Sequence, residues 1–166
     1  MSSKTLIIGG VIILTIFIVG SYFLLAGEGQ SEVKITSYSV NDKEKPKAEV
    51  KETLKDLGAM KVSDEKEATF TLKNVGRKPL QLSNVSSSCG CAVGKIVIDG
   101  KESEEFGMHN VSDYVGEIAP GKEATVKVIY RPFVMPVYGA VEREVYLTTN
   151  DPENPKLVFK VKAYVK

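Results

Sequence analysis

Hydrophobic and polar positions divide the chain into two unlike parts. Between Lys4 and Glu28 no residue is charged, and the run TLIIGGVIILTIFIVGSYFLLAG (residues 5–27) has no polar stripe. At about 1.5 Å of helical rise per residue, this run exceeds the roughly 30 Å apolar core of a bilayer. A globular helix of that length normally shows a polar face. A cleavable signal peptide has a shorter apolar region, on the order of 7–15 residues, and Leu25-Ala26-Gly27 is a weak cleavage match. The pattern predicts a cytoplasmic N-terminus over residues 1–4 and a transmembrane anchor over 5–27. Lys4 precedes the anchor, and Glu28 and Glu32 follow it. The positive-inside rule then places everything after Gly27 on the outer side of a cell membrane.

Past the anchor the period changes from helical to two. Residues 28–47 are expected to be a polar linker carrying a first strand at 33–40, then a charged turn at 41–47. Residues 48–57 are ambiguous, with a helix turn permitted by propensity, and Leu57-Gly58 with Met60-Lys-Val62 suggest a short strand. Clean alternation follows at 68–73, 80–85, 93–98, 124–130, 141–147 and 157–165, as half-buried strands require. Asn74-Val-Gly76, Asp99-Gly100, Pro120-Gly121 and Asn150-Asp-Pro152 punctuate them as turns. Residues 101–116 read as a longer polar excursion. About seven short strands with one apolar face each suit two sheets packed face to face. No helical pattern lies between strands, which disfavours a parallel βαβ sheet. The expected fold is all-β: an immunoglobulin-like antiparallel β-sandwich over 48–166, preceded by one N-terminal transmembrane helix.

Charge and composition narrow the function. With 22 basic and 21 acidic residues the net charge is +1, which gives no electrostatic case for nucleic acid. One His, two Cys and no Trp leave few reactive side chains. No enzyme activity and no small organic substrate are expected. Residues 116–122 (GEIAPGK) nearly match a phosphate-binding loop. Glu123 stands where Ser or Thr should bind Mg²⁺, and a strand pattern follows where a helix should open. No Gly-x-Ser-x-Gly elbow is present.

Phe70-Thr-Leu-Lys-Asn-Val-Gly76, Pro79-Leu80, Ser88-Cys-Gly-Cys91, Ile118-Ala-Pro-Gly121 and Thr148-Thr-Asn-Asp-Pro152 occur in that order. Together they resemble the bacterial family called domain of unknown function 1573, whose Ig-like fold is related to ASH/Hydin-like modules. The resemblance covers roughly residues 50–166. It implies an extracytoplasmic β-sandwich and supplies no activity. An insertion between Cys91 and Pro120 contains Phe106-Gly-Met-His109. This insertion resembles that of a membrane-anchored subgroup.

Cys89 and Cys91 are the only cysteines. In an extended strand residues i and i+2 share a face, with Cα atoms roughly 6.5 Å apart, near the upper limit for a disulfide. A direct bridge therefore requires Gly90 to bend the chain. A metal ion tolerates a wider gap, since metal–thiolate bonds are about 2.3 Å. His109 is the only imidazole and Met108 carries a thioether. A Cys, Cys, Met, His set favours copper over hard cations. The candidate metal site is thus Cys89 and Cys91 as thiolates, His109 as imidazole donor and Met108 as weak axial donor. Two further readings stay open: a disulfide, structural or redox-active, outside the cell, and two small buried hydrophobes. The leading expectation is a membrane-anchored copper-binding module. The alternative is a protein-interaction module, binding an envelope protein, with a structural or redox-active Cys89–Cys91 pair.

Overall fold

The computed structural model describes Gly9, Gly10, residues 12–19, Ser21 and residues 34–166. Two compact units result, Met1–Lys34 and Ile35–Lys166. In the first, all the described residues before Lys34 are helical. Thr15 and Ser21 turn their hydroxyls back on the helix, donating to the carbonyls of Ile12 and Ile18 at 2.9 and 3.0 Å. Among the described residues no helix is long and apolar enough to cross a membrane. The rest of the expected span at 5–27 lies outside the described residues.

The second unit is a two-sheet sandwich. Its strands are β1 (Ala48–Val50), β2 (Leu54–Met60), β3 (Lys66–Asn74), β4 (Leu80–Ser87), β5 (Ala92–Ile98), β6 (Lys101–Glu102), β7 (Tyr114–Ile118), β8 (Glu123–Tyr130), β9 (Gly139–Thr149) and β10 (Lys156–Val165). One sheet has the order β1-β3-β8-β5-β6, the other β2-β10-β9-β4-β7. Alternation decides the inner faces. Ala68, Phe70 and Leu72 of β3 point inward with Ala124, Val126, Val128 and Tyr130 of β8. From the facing sheet come Val145 and Leu147 of β9 and Phe159, Val161, Ala163 and Val165 of β10. Phe70 and Phe159 meet across the core with ring centroids 5.2 Å apart, within the favoured range for tilted aromatic pairs.

Several expectations need correction. The sandwich is mixed, because β2 runs parallel to β10. β1 and β2 lie in different sheets, so no hairpin joins them. Residues 48–57 hold strand, not a helix turn: β1 pairs with β3 and β2 with β10, and pairing overrides weak helical propensity. The short strand expected around Leu57–Val62 is β2, which starts earlier, at Leu54, and ends at Met60. Residues 34–39 form no strand. Ile35 and Val40 there are exposed, and this stretch is held through Thr36 N donating to the Gln81 side chain at 2.7 Å. The polar excursion contains β7, which pairs with β4, and a turn closed by Lys122 N to Ala119 O at 3.0 Å replaces any phosphate loop.

Register fixes two poles. Lys66 and Ala92 both pair with Tyr130, whereas Lys73 and Ile98 pair with Glu123 and Ala124. An eight-residue strand such as β8 spans about 25 Å. Asn74, Gly76, Asn150 and Asp151 therefore cluster at one pole, and Cys89, Cys91 and the residues after Tyr130 at the other.

Candidate functional site

The Cys-Gly-Cys segment is the connection from β4 to β5, the two strands crossing from one sheet to the other. Residues 88–91 form a bend and turn, with Ala92 N donating to Cys89 O at 3.4 Å. The turn shortens the Cα separation to 5.2 Å and Cys89 and Cys91 are joined as a disulfide. The extended geometry assumed from sequence, about 6.5 Å, does not hold because residues 88–91 turn; a Cβ on Gly90 would meet nothing within 4 Å, so the bend does not require glycine there. In this state the two sulfurs are bonded to each other and do not form the expected thiolate pair.

β9 clamps the turn. Ser88 N donates to Glu144 O at 2.9 Å and Glu144 N donates to Ser88 Oγ at 3.0 Å. Ser87 Oγ donates to Cys89 O at 2.7 Å. Cys91 is 1% exposed, while Cys89 is only partly buried against the core. The two sulfurs are therefore unequal: one faces the rim, the other the interior.

Arg143 was not singled out from the sequence. It occupies an inward position of β9, in phase with Val141, Val145 and Leu147. Its Nε donates to Cys91 Sγ at 3.1 Å, and its guanidinium lies 5.6 Å over the Tyr130 ring. Among the described residues no carboxylate forms an ion pair with it. Tyr130 is fully buried, and its hydroxyl has no hydrogen-bond partner among the described residues. The signal was present: the alternation of 141–147 puts a charged residue at a position it otherwise reserves for the core.

The Met108-His109 segment comes to the same pole. Phe106 bridges Gly94 of β5, with Gly94 N to Phe106 O at 2.7 Å. A Cβ built on Gly107 would lie 3.4 Å from Val93 and 3.8 Å from both Ala92 O and Ser87 Oγ. Gly107 thus packs on the residues flanking the disulfide. Met108 and His109 themselves are exposed. Among the described residues no group of three or more His, Cys, Asp or Glu side chains converges as a metal site.

Arg131 ties this rim together. Its backbone N donates to Cys91 O at 2.8 Å. Its guanidinium donates to Glu105 at 2.7 and 2.9 Å and to Glu65 at 2.5 Å. The bidentate Arg131 pairing holds the Glu105 carboxyl below the ordinary glutamate range, and the two carboxylates push Arg131 up. Beyond Arg131, Pro132–Val134 form a 3₁₀ turn, and residues 133–138 (FVMPVY) lead exposed apolar side chains to β9.

At the far pole the residues that carry the family resemblance act as clasps. Asn74 Nδ2 donates to Lys78 O and Ile118 O, both at 2.8 Å, and its Oδ1 accepts from Gly76 N at 2.9 Å. A Cβ on Gly76 would collide with the Lys45–Lys47 backbone. Asp151 accepts from Ala48 N, Asn154 Nδ2 and Glu153 N, each at 2.9 Å. Asn150 Oδ1 accepts from Gln81 N at 2.9 Å.

Comparison with known proteins agrees with this architecture. A protein of unknown function from Porphyromonas gingivalis W83 superposes with a TM-score of 0.55 at 24% identity, over 73% of this chain and 47% of that one. The chain thus spans about half of that protein's length. The ASH/PapD-like domain 7 of human CEP192 superposes with a TM-score of 0.50 at 13% identity, over 83% of this chain and 98% of that one. Both likenesses concern the fold alone. No curated protein matches the chain. The profile described as protein of unknown function (DUF1573) matches residues 48–165, from the first strand to the last, and the chain belongs to that family.

Proposed function

We propose that this chain is a non-enzymatic, membrane-anchored extracytoplasmic module whose Cys89–Cys91 pair is a thiol–disulfide couple. One observation carries the reading: Arg143 Nε sits 3.1 Å from Cys91 Sγ. A guanidinium so placed stabilises the thiolate that reduction would release, because a neighbouring cation favours the charged form of a thiol. The bland alternative is a structural staple. A bridge between residues two apart closes so short a loop that its entropic stabilisation is only about 1.6 kcal/mol, against about 3 for a 15-residue loop. The charge-free run at 5–27 and the Gly-Met-His insertion support membrane anchoring with the N-terminus cytoplasmic.

Equilibration of the full chain in detergent with glutathione redox buffers tests the couple. The expected result is reversible opening of the bridge without unfolding, and a shift toward the oxidised form by about tenfold in Arg143→Met, a charge-assisted hydrogen bond being lost. A bridge that opens only when the chain is denatured would falsify the reading.

A second reading concerns copper. Gly107 packs on Ala92 and Ser87, which brings Met108 and His109 to the pole of the cysteines. Once reduced, Cys89 and Cys91 would offer two thiolates to a soft ion, with His109 and Met108 as further donors. Arg143 opposes this, since a guanidinium and a metal cation compete for the Cys91 sulfur. Titration of the reduced chain with Cu(I) against a chromophoric competitor decides. Unchanged uptake in Cys89→Ser/Cys91→Ser ends the proposal.

A further inference from the structure

The exposed apolar side chains of the sandwich are not spread evenly. Phe133, Val134, Met135, Val137 and Tyr138 are exposed in the connection from β8 to β9, with Met108 and Val111 in the segment before β7. Tyr138 is 71% exposed. Both segments flank the disulfide turn: Arg131 N holds Cys91 O, Gly107 packs on Ala92, and the Arg131–Glu105 pair joins them. Exposed apolar side chains gathered at one pole mark an interaction site. Aromatic residues, Met and Arg are the types enriched in such interfaces. Flexible Met side chains suit partners of varied shape.

We infer that this pole docks a cysteine-bearing apolar segment of a partner polypeptide and exchanges disulfides with it at Cys89. The inference rests on the thiol–disulfide reading and names the class of partner with which the couple exchanges. A lipid surface would also match the apolar rim, but it has no thiol to offer the bond at the centre. Cys89 is the less buried of the pair and so the one an incoming thiolate reaches, whereas Cys91 is 1% exposed and held by Arg143. The partner thiolate forms a bond to Cys89 Sγ. The Cys89–Cys91 bond breaks, and its electron pair goes to Cys91, whose thiolate Arg143 stabilises. A second partner thiol then attacks the partner sulfur of the mixed disulfide and releases Cys89. The partner leaves oxidised to a disulfide, this chain holds the dithiol, and thiol protons pass to Cys89 and to solvent.

The test uses the full oxidised chain in detergent and three reduced probes. These are glutathione, a peptide with one Cys flanked by Leu and Phe, and an isosteric-length peptide with that Cys flanked by Ser and Asn. Rates are normalised to each probe's reaction with a small aromatic disulfide. The apolar peptide is expected to open the bridge roughly tenfold faster than the polar one, as partial burial of one or two apolar side chains provides. That preference should vanish in Phe133→Ser/Tyr138→Ser while the glutathione rate stays unchanged. Acid quench, alkylation and mass spectrometry should place the peptide on Cys89 and the alkyl group on Cys91. Opening by glutathione with no preference between peptides, or adducts mainly on Cys91, overturns the docking inference alone. A bridge inert to all three probes overturns the underlying redox reading as well.

Discussion

The two poles of the sandwich are built on opposite principles. Around Asn74, Asn150 and Asp151, buried side chains answer the backbone groups that face them, and Val75 is the exposed large hydrophobic beside them. Around Cys91, apolar side chains stand in solvent, a half-buried guanidinium sits on the inward register of β9, and the buried Tyr130 hydroxyl has no hydrogen-bond partner among the described residues. The first arrangement is what a fold needs to close: satisfied polar groups where loops cross the ends of the sheets. The second is costly to stability and makes sense where the surface serves a partner. Activity is expected at the pole whose local rules are broken.

The strongest challenge to this contrast is a pair of stability measurements. Asp151→Ala leaves Ala48 N, Glu153 N and the Asn154 amide without their acceptor. Each hydrogen bond to a carboxylate is worth about 1.5–3 kcal/mol, so a loss of at least about 3 kcal/mol is expected in urea denaturation. Phe133→Ser/Tyr138→Ser at the other pole should stay within about 0.5 kcal/mol, as exposed sites do. Comparable losses at both would erase the distinction.

Removal of the bridge comes next in size. Cys89→Ala/Cys91→Ala is expected to lower stability by about 1.6 kcal/mol, the chain-entropy value for so short a loop. A loss beyond about 3 kcal/mol would mark the disulfide as a staple. Tyr130→Phe should leave the protein unchanged or raise its stability by up to about 1 kcal/mol, because it removes a buried hydroxyl that has no hydrogen-bond partner among the described residues. A large loss would reveal a hidden partner for that group.

The smallest effect is one of pH. Glu105 is held below its ordinary value of 4.5 by Arg131. Its contribution to stability is therefore complete above about 4.5 and is lost as pH falls through the lower value of the folded state. Glu105→Gln should flatten that acidic limb by a few tenths of a kcal/mol, since the pair is partly solvated. Thermal melts across the acidic range would show the difference; identical limbs would refute it.

The strands that were legible in the sequence are those with clean alternation and strong turns: β3, β4, β5, β8, β9 and β10. Those missed or displaced, β1, β2, β6 and β7, are the edge strands of the two sheets, where few apolar side chains are buried and pairing rather than composition decides. β7 reads YVGEI and buries only Ile118 fully, so its alternation is faint. At the site, the sequence indicated Cys89, Cys91, Met108 and His109 as soft donors. Arg143 was hidden because its surroundings on the chain, Glu142 and Glu144, make it look like part of a solvated charge run.

Local chemistry along the chain was enough to specify an all-β sandwich, the bend-capable Gly90 between two thiols, and the family motifs at its turns. Periodicity and turn residues act over a few positions and leave their mark in order. Only the folded arrangement decided that β2 runs parallel to β10, that the two sulfurs bond to each other, and that Arg143 reaches Cys91 from 52 residues away. The first and last are contacts between residues distant along the chain, and the bridge follows from how the β4–β5 turn brings two sulfurs together; their energies depend on the folded arrangement, which periodicity over a few positions does not encode.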